Sequence, residues 1–111
     1  MYSLSHFTHY HATLMMINSI EEVRTLNDLR NYIHLSLCAR ENLLPDQSGI
    51  LESRLVKRGE ECGRQFTVHG PRSVKLGAIW TSEHNEIFFY GTNGERFMKI
   101  TLPQRLCIPK D

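Results

Sequence analysis

From residue 50 onward the hydrophobic period of the chain is two. Segments 50–58, 61–69, 72–81, 85–91 and 95–102 alternate apolar and polar side chains, and "RGEE", "HGPR", "SEHN" and "GTNG" separate them. Alternation of this kind is the pattern of a strand with one buried face. Connections so short join only antiparallel neighbours, and no helical stretch intervenes to carry a parallel crossover. The second half of the chain is therefore expected to fold as a five-stranded antiparallel meander. The glycine-bracketed Gly91-Thr92-Asn93-Gly94 belongs to this pattern. Such a bracket clamps a nucleic-acid strand when helices flank it, but "NEIFFY" and "ERFMKITL" on either side are rich in strand formers. An Asn-Gly pair between two such runs predicts a hairpin turn.

Before the sheet the period changes. "TLNDLRNYIHLSLCARENLLPD" sets Leu26, Leu29, Ile33 and Leu37 at helical spacing with Tyr32 beside them, which predicts a helix over 26–42. Thr25 and Asp28 resemble a capping box at its start, Ser19 and Glu22 suggest a helical turn before it, and Pro45 ends it. The expected class is α+β, with one N-terminal helix packed on the meander. In this reading residues 1–18 are a flexible segment, 19–102 one domain and 103–111 a tail.

Even and odd positions then sort the faces of the sheet. Ile87, Phe89, Met98, Ile100, Val74, Leu76, Ala78, Trp80, Cys62, Phe66 and Val68 fall on the helix side. Leu51 and Leu55 are assigned there with them. That sorting needs an odd-length reversal around Gly70-Pro71-Arg72. The outer side takes Glu52, Arg54, Gln65, Thr67, His69 and Lys75, followed by a cluster of Ile79, Phe88, Tyr90 and Phe97 beside Lys99. One helix covers one face, so this cluster needs cover from the tail, the N-terminal segment, a second copy or a partner. It is the candidate interaction surface, comprising Ile79, Phe88, Tyr90, Phe97, Lys75 and Lys99.

Chemistry is sparse by comparison. The chain has 13 basic and 12 acidic residues and a net charge of +1, which gives no global pull toward nucleic acid or an anionic membrane. Three scattered cysteines suit reduced thiols in the cytoplasm better than a disulfide framework. No stretch has the length of a membrane-spanning helix or of a signal-peptide core. His6, His9 and His11 do not have metal-ligand spacing, and His34 with Cys38 lacks a Cys-x-x-Cys to complete a zinc set. Cys62 and His69, an odd number of residues apart in one strand, point to opposite faces. No nucleophile elbow, zincin, Walker or dinucleotide motif occurs, so neither an enzyme, a metal site nor a cofactor is expected. Arg64 and Arg96 both fall on the inward face, where they either snorkel to the rim, pair with Asp28 or Glu41, or form an anion pocket.

These readings yield three functional expectations. The first is a non-catalytic interaction module that uses the outer cluster, binding a protein partner or a second copy. The second is a single-stranded nucleic-acid binder that stacks bases on Phe88, Tyr90 and Phe97 beside Lys75, Lys99 and Arg54. The third is a small-anion or enzymatic site at Arg64 and Arg96.

Overall fold

The computed structural model describes residues 20–107, which form one helix against one sheet. His6, His9, His11 and the remainder of the N-terminal segment lie outside the described residues, as does the end of the tail. A single 3₁₀ turn at Ile20–Glu22 leads into helix α1 (Leu26–Arg40). The expected capping box is present. The Thr25 hydroxyl accepts from the Asp28 N–H at 3.1 Å, and the Asp28 carboxylate accepts from the Thr25 N–H at 3.2 Å. The helix stops two residues earlier than Pro45 alone dictates. Asn42 takes a left-handed φ of 56°, its N–H reaches the Ala39 carbonyl, and the Leu43 N–H reaches that of Cys38 at 2.8 Å. This is a Schellman stop with Asn at the left-handed position, and Leu43 packs back on the core to complete it.

The sheet is a meander in the order β1 (Ile50–Lys57), β2 (Glu60–His69), β3 (Lys75–Thr81), β4 (Glu86–Tyr90) and β5 (Arg96–Thr101), every neighbour antiparallel. The β1–β2 reversal is the two-residue turn Arg58-Gly59, both at positive φ as the twist of the strands favours. The β2–β3 reversal has the odd length that the pattern demanded. It runs from Gly70 to Val74, and Lys75 rather than residue 72 opens the strand. Phe66, Val68, Leu76, Ala78, Trp80, Ile87 and Phe89 are buried beneath the Leu29, Tyr32, Ile33 and Leu37 stripe of α1, as their parity predicts. Met98, Ile100 and Leu26 pack half-buried around them.

Two assignments are corrected. The first concerns β1, where Leu51 pairs with Thr67 and Leu55 with Gly63 on the outer side, and Leu51 is 63% exposed. Glu52 and Arg54 instead share the helix side with Phe66 and Arg64. Charged residues tolerate that side because they form a ladder. Arg30 of the helix donates to Glu52 at 2.6 Å, Glu52 accepts from Arg64 at 2.6 Å, and Arg64 donates to Glu61 at 2.5 Å. Arg54 approaches Glu61 at 3.5 Å. Glu61 is thus a partner in the ladder.

The second correction concerns β5. Gly91 and Glu95 bond across the turn, with Gly94 at a φ of 82°, so the loop is odd rather than even. Tyr90 consequently pairs with Arg96, while Phe89 pairs with Met98, and Phe97 is the extra residue between. At such a bulge two successive side chains turn to the same side. Phe97 therefore joins Met98 on the helix side, its ring centroid 6.0 Å from that of Phe89 and the Arg40 guanidinium 4.2 Å above it. Arg96 moves to the outer side.

The last described residues return to the start of the helix. Residues 103–107 run along the β3–β4 turn to the start of α1, where Thr25 and Cys107 form a parallel bridge. The Gln104 amide donates to the carbonyls of Ile20 and Val23 at 2.9 and 2.6 Å. Among the described residues no helix is long and apolar enough to cross a membrane.

Candidate binding surface on the outer sheet face

The four strands β2 to β5 present Gln65, Thr67 and His69, then Lys75, Gly77, Ile79 and Thr81, then Glu86, Phe88 and Tyr90, and finally Arg96, Lys99 and Thr101 on the side away from α1. The described part of the tail is not their cover. Residues 103–107 are tied to the β3–β4 turn and to the helix start by Asn85, Gln104, Arg105 and Cys107. Ile79 and Phe88 lie directly opposite each other and leave each other half-buried. Of the expected cluster, Ile79, Phe88 and Tyr90 come together here and Phe97 does not, because of the bulge.

Arg96 takes the vacated place. Its guanidinium carbon is 5.2 Å from the centroid of the Phe88 ring, within cation–π range. Lys99 flanks Phe88 on the next strand and lies 3.4 Å from Glu86. Lys75 stands across from His69. Three cationic side chains, Lys75, Arg96 and Lys99, thus face outward in the neighbourhood of the Glu86 carboxylate.

Between the strands lies a groove of about 400 Å³, walled by Gln65, Thr67, Lys75, Ile79, Tyr90 and the Gly91-Thr92 turn. Gly77 makes its floor. Opposite Thr67 on one side and Tyr90 on the other, it contributes no side chain where the two walls would otherwise meet. A Cβ there would come no closer than 3.5 Å to the Phe66 carbonyl oxygen, so the space is open rather than forced. Parity assigns Gln65 and Thr67 to this face without giving them a role. The signal for a groove was the lone glycine inside an otherwise regular strand pattern.

The other sequence candidates separate. Arg64 lies on the helix side in the ladder, with Glu61 and Glu52 holding its guanidinium charged against the opposing effect of burial. Arg96 lies on the opposite face, so the two cannot share an anion. Asp28 serves the helix cap rather than either arginine. Burial pushes the Cys38 thiol up to about 11, which keeps it protonated at neutral pH. The neighbouring His34 is committed to the Ser48 carbonyl at 2.6 Å, and since a carbonyl only accepts, its Nε2 carries the proton. That pair is not an activated thiol. Among the described residues no three His, Cys, Asp or Glu side chains gather as a metal site needs. No protein-family model, curated protein or solved structure matches this chain.

Proposed function

We propose that the protein is a non-catalytic interaction module whose outer sheet face receives a segment of another protein. An apolar side chain of that segment enters the groove over Gly77, and flanking acidic groups meet Lys75 and Arg96. The observation that carries this reading is the groove itself. It is large enough for a bulky side chain, has the apolar walls Ile79 and Tyr90, and carries Lys75 at its rim, with Arg96 paired to Tyr90 on the next strand. The free thiols of Cys38, Cys62 and Cys107 suit a module working in the reducing cytoplasm.

Single-stranded nucleic acid is the second reading, favoured by one observation, the convergence of Arg96, Lys75 and Lys99 on the face that carries Phe88 and Tyr90. It ranks lower because the Arg96 guanidinium already lies over the Phe88 ring, which a base would have to displace.

Selection from a random peptide display library, followed by titration of the winning peptides, tests both. Gly77→Val fills the groove, and a branched side chain suits a strand position without positive φ. Wild type should enrich peptides that combine a bulky apolar residue with acidic neighbours. Their affinity should fall at least about tenfold in Gly77→Val, the cost of excluding one buried side chain. Peptides that bind both proteins equally, or an oligothymidine that binds while no peptide does, would refute the proposal.

A further inference from the structure

Strand β1 is one edge of the sheet, and among the described residues it pairs with β2 alone. An edge strand offers a row of outward N–H and C=O groups to any strand that can match it, and protein edges are usually blunted by shortness, proline, a bulge or charged side chains, of which β1 carries Glu52, Arg54 and Lys57. β1 has eight residues and no proline, and the extra residue at its register shift belongs to β2. Leu51 and Val56 are 63% and 61% exposed, two of the three large exposed apolar residues among those described.

The sequence of β1 is complementary to its own reversal. A two-fold axis through Ser53, perpendicular to the sheet, sets Leu51 of one copy opposite Leu55 of the other. The same axis sets Glu52 opposite Arg54 and Ile50 opposite Val56. Every apolar residue then meets an apolar one, Glu52 meets Arg54, and Lys57 falls beside Gly49. Side-chain faces agree as well. Leu51, Ser53 and Leu55 lie on the outer side, and Ile50, Glu52, Arg54 and Val56 on the helix side. Moving the axis onto Glu52 or onto Arg54 opposes like charges. An axis midway between residues sets the helix side of one sheet beside the outer side of the other. Only the Ser53 axis satisfies all the pairs.

We propose that two copies of this chain associate edge to edge through antiparallel β1 strands about a two-fold axis at Ser53, forming one continuous sheet. The Glu52–Arg54 contacts extend the ion ladder of each protomer across the axis. Helix α1 packs over β2 and β3, so the two helices stand about four strand spacings apart, roughly 19 Å, and do not collide. This inference does not rest on the groove, and the occupied outer faces would lie side by side on the same surface of the joined sheet.

Sedimentation over a concentration series, combined with cysteine cross-linking, tests it. Wild type should show a concentration-dependent dimer. Leu51→Lys with Leu55→Lys should weaken the dimer at least about tenfold while the circular dichroism of the monomer is unchanged. Ser53→Cys in a Cys107→Ser background should form a covalent dimer under mild oxidation. Leu51→Cys in the same background should not, since the two copies of position 51 are about 13 Å apart along the strands, beyond disulfide reach. Gly77→Val should dimerise like wild type, which separates failure of this proposal from failure of the groove. A wild-type monomer at high micromolar concentration would overturn the inference. So would equal cross-linking at positions 51 and 53.

Discussion

Asn85 occupies the β3–β4 turn at a φ of +54°, a region that asparagine tolerates better than most residues. Its side chain is 6% exposed and joins three segments: Oδ1 accepts from the Trp80 indole at 2.9 Å, and Nδ2 donates to the Gln104 carbonyl at 2.6 Å. Asn85→Gly keeps the backbone angle accessible and removes only these bonds. It should lower the urea-unfolding free energy by about 1–3 kcal/mol, the cost of leaving a buried indole N–H and a carbonyl without partners. Glu52 gives a pH-dependent counterpart. Burial acts to raise its pKa, but the hydrogen bonds and positive charge of Arg30 and Arg64 outweigh it and hold the carboxyl below its ordinary value. A carboxyl that binds its proton less tightly when folded adds stability in full above the unfolded pKa of about 4.3, and loses it as the pH falls through the lower folded value. Wild type should therefore exceed Glu52→Gln in stability at neutral pH, and the gap should narrow in urea titrations repeated at successively more acidic pH.

The β5 bulge makes opposite demands on two phenylalanines that parity alone treats alike. Phe97 packs on Phe89 beneath Arg40, whereas Phe88 lies on the outer face under Arg96. Phe97→Ala should cost about 2–4 kcal/mol by chemical denaturation, near the low end for a core aromatic because the site is half-buried. Phe88→Ala, which removes a half-buried pair with Ile79 on the outer face rather than a contact in the core, should cost less, about 1–2 kcal/mol. Equal losses would contradict the register. The same pair shows what the letters carried. The helix stripe, its Thr25–Asp28 cap, the order of strands and the faces of β2 to β4 follow from period and turn chemistry. The Phe97 placement does not, because Asn93-Gly94 suits both an even turn and a longer odd one, and "RFMK" alternates acceptably in either register. Strand β1 misled for a different reason. Leu51 and Leu55 look like core residues until Arg30, from a distant helix, is seen to neutralise Glu52. A non-local ion ladder leaves no mark in a local pattern. The groove depended on Gly77, whose missing side chain registers in sequence only as a gap.

At the scale of the whole molecule, every strand pairing joins segments adjacent in the chain, while the Gln104 amide reaches a carbonyl 84 positions away. Contacts between neighbours close small loops and carry little entropic penalty, and closing a long loop is slower and later. The meander can thus zip from its hairpins alone, with docking of residues 103–107 on the helix start as the last event in assembly. Reversed, that step is the first to open, and it opens without unzipping a strand. In native-state hydrogen exchange the Cys107 amide, bonded to the Arg24 carbonyl at 2.7 Å, should lose protection at a lower free energy than the amides of Phe66 or Trp80. That excursion would briefly bare Val23 and Leu102, otherwise 1% and 4% accessible, and give a protease or chaperone its entry to an intact sheet.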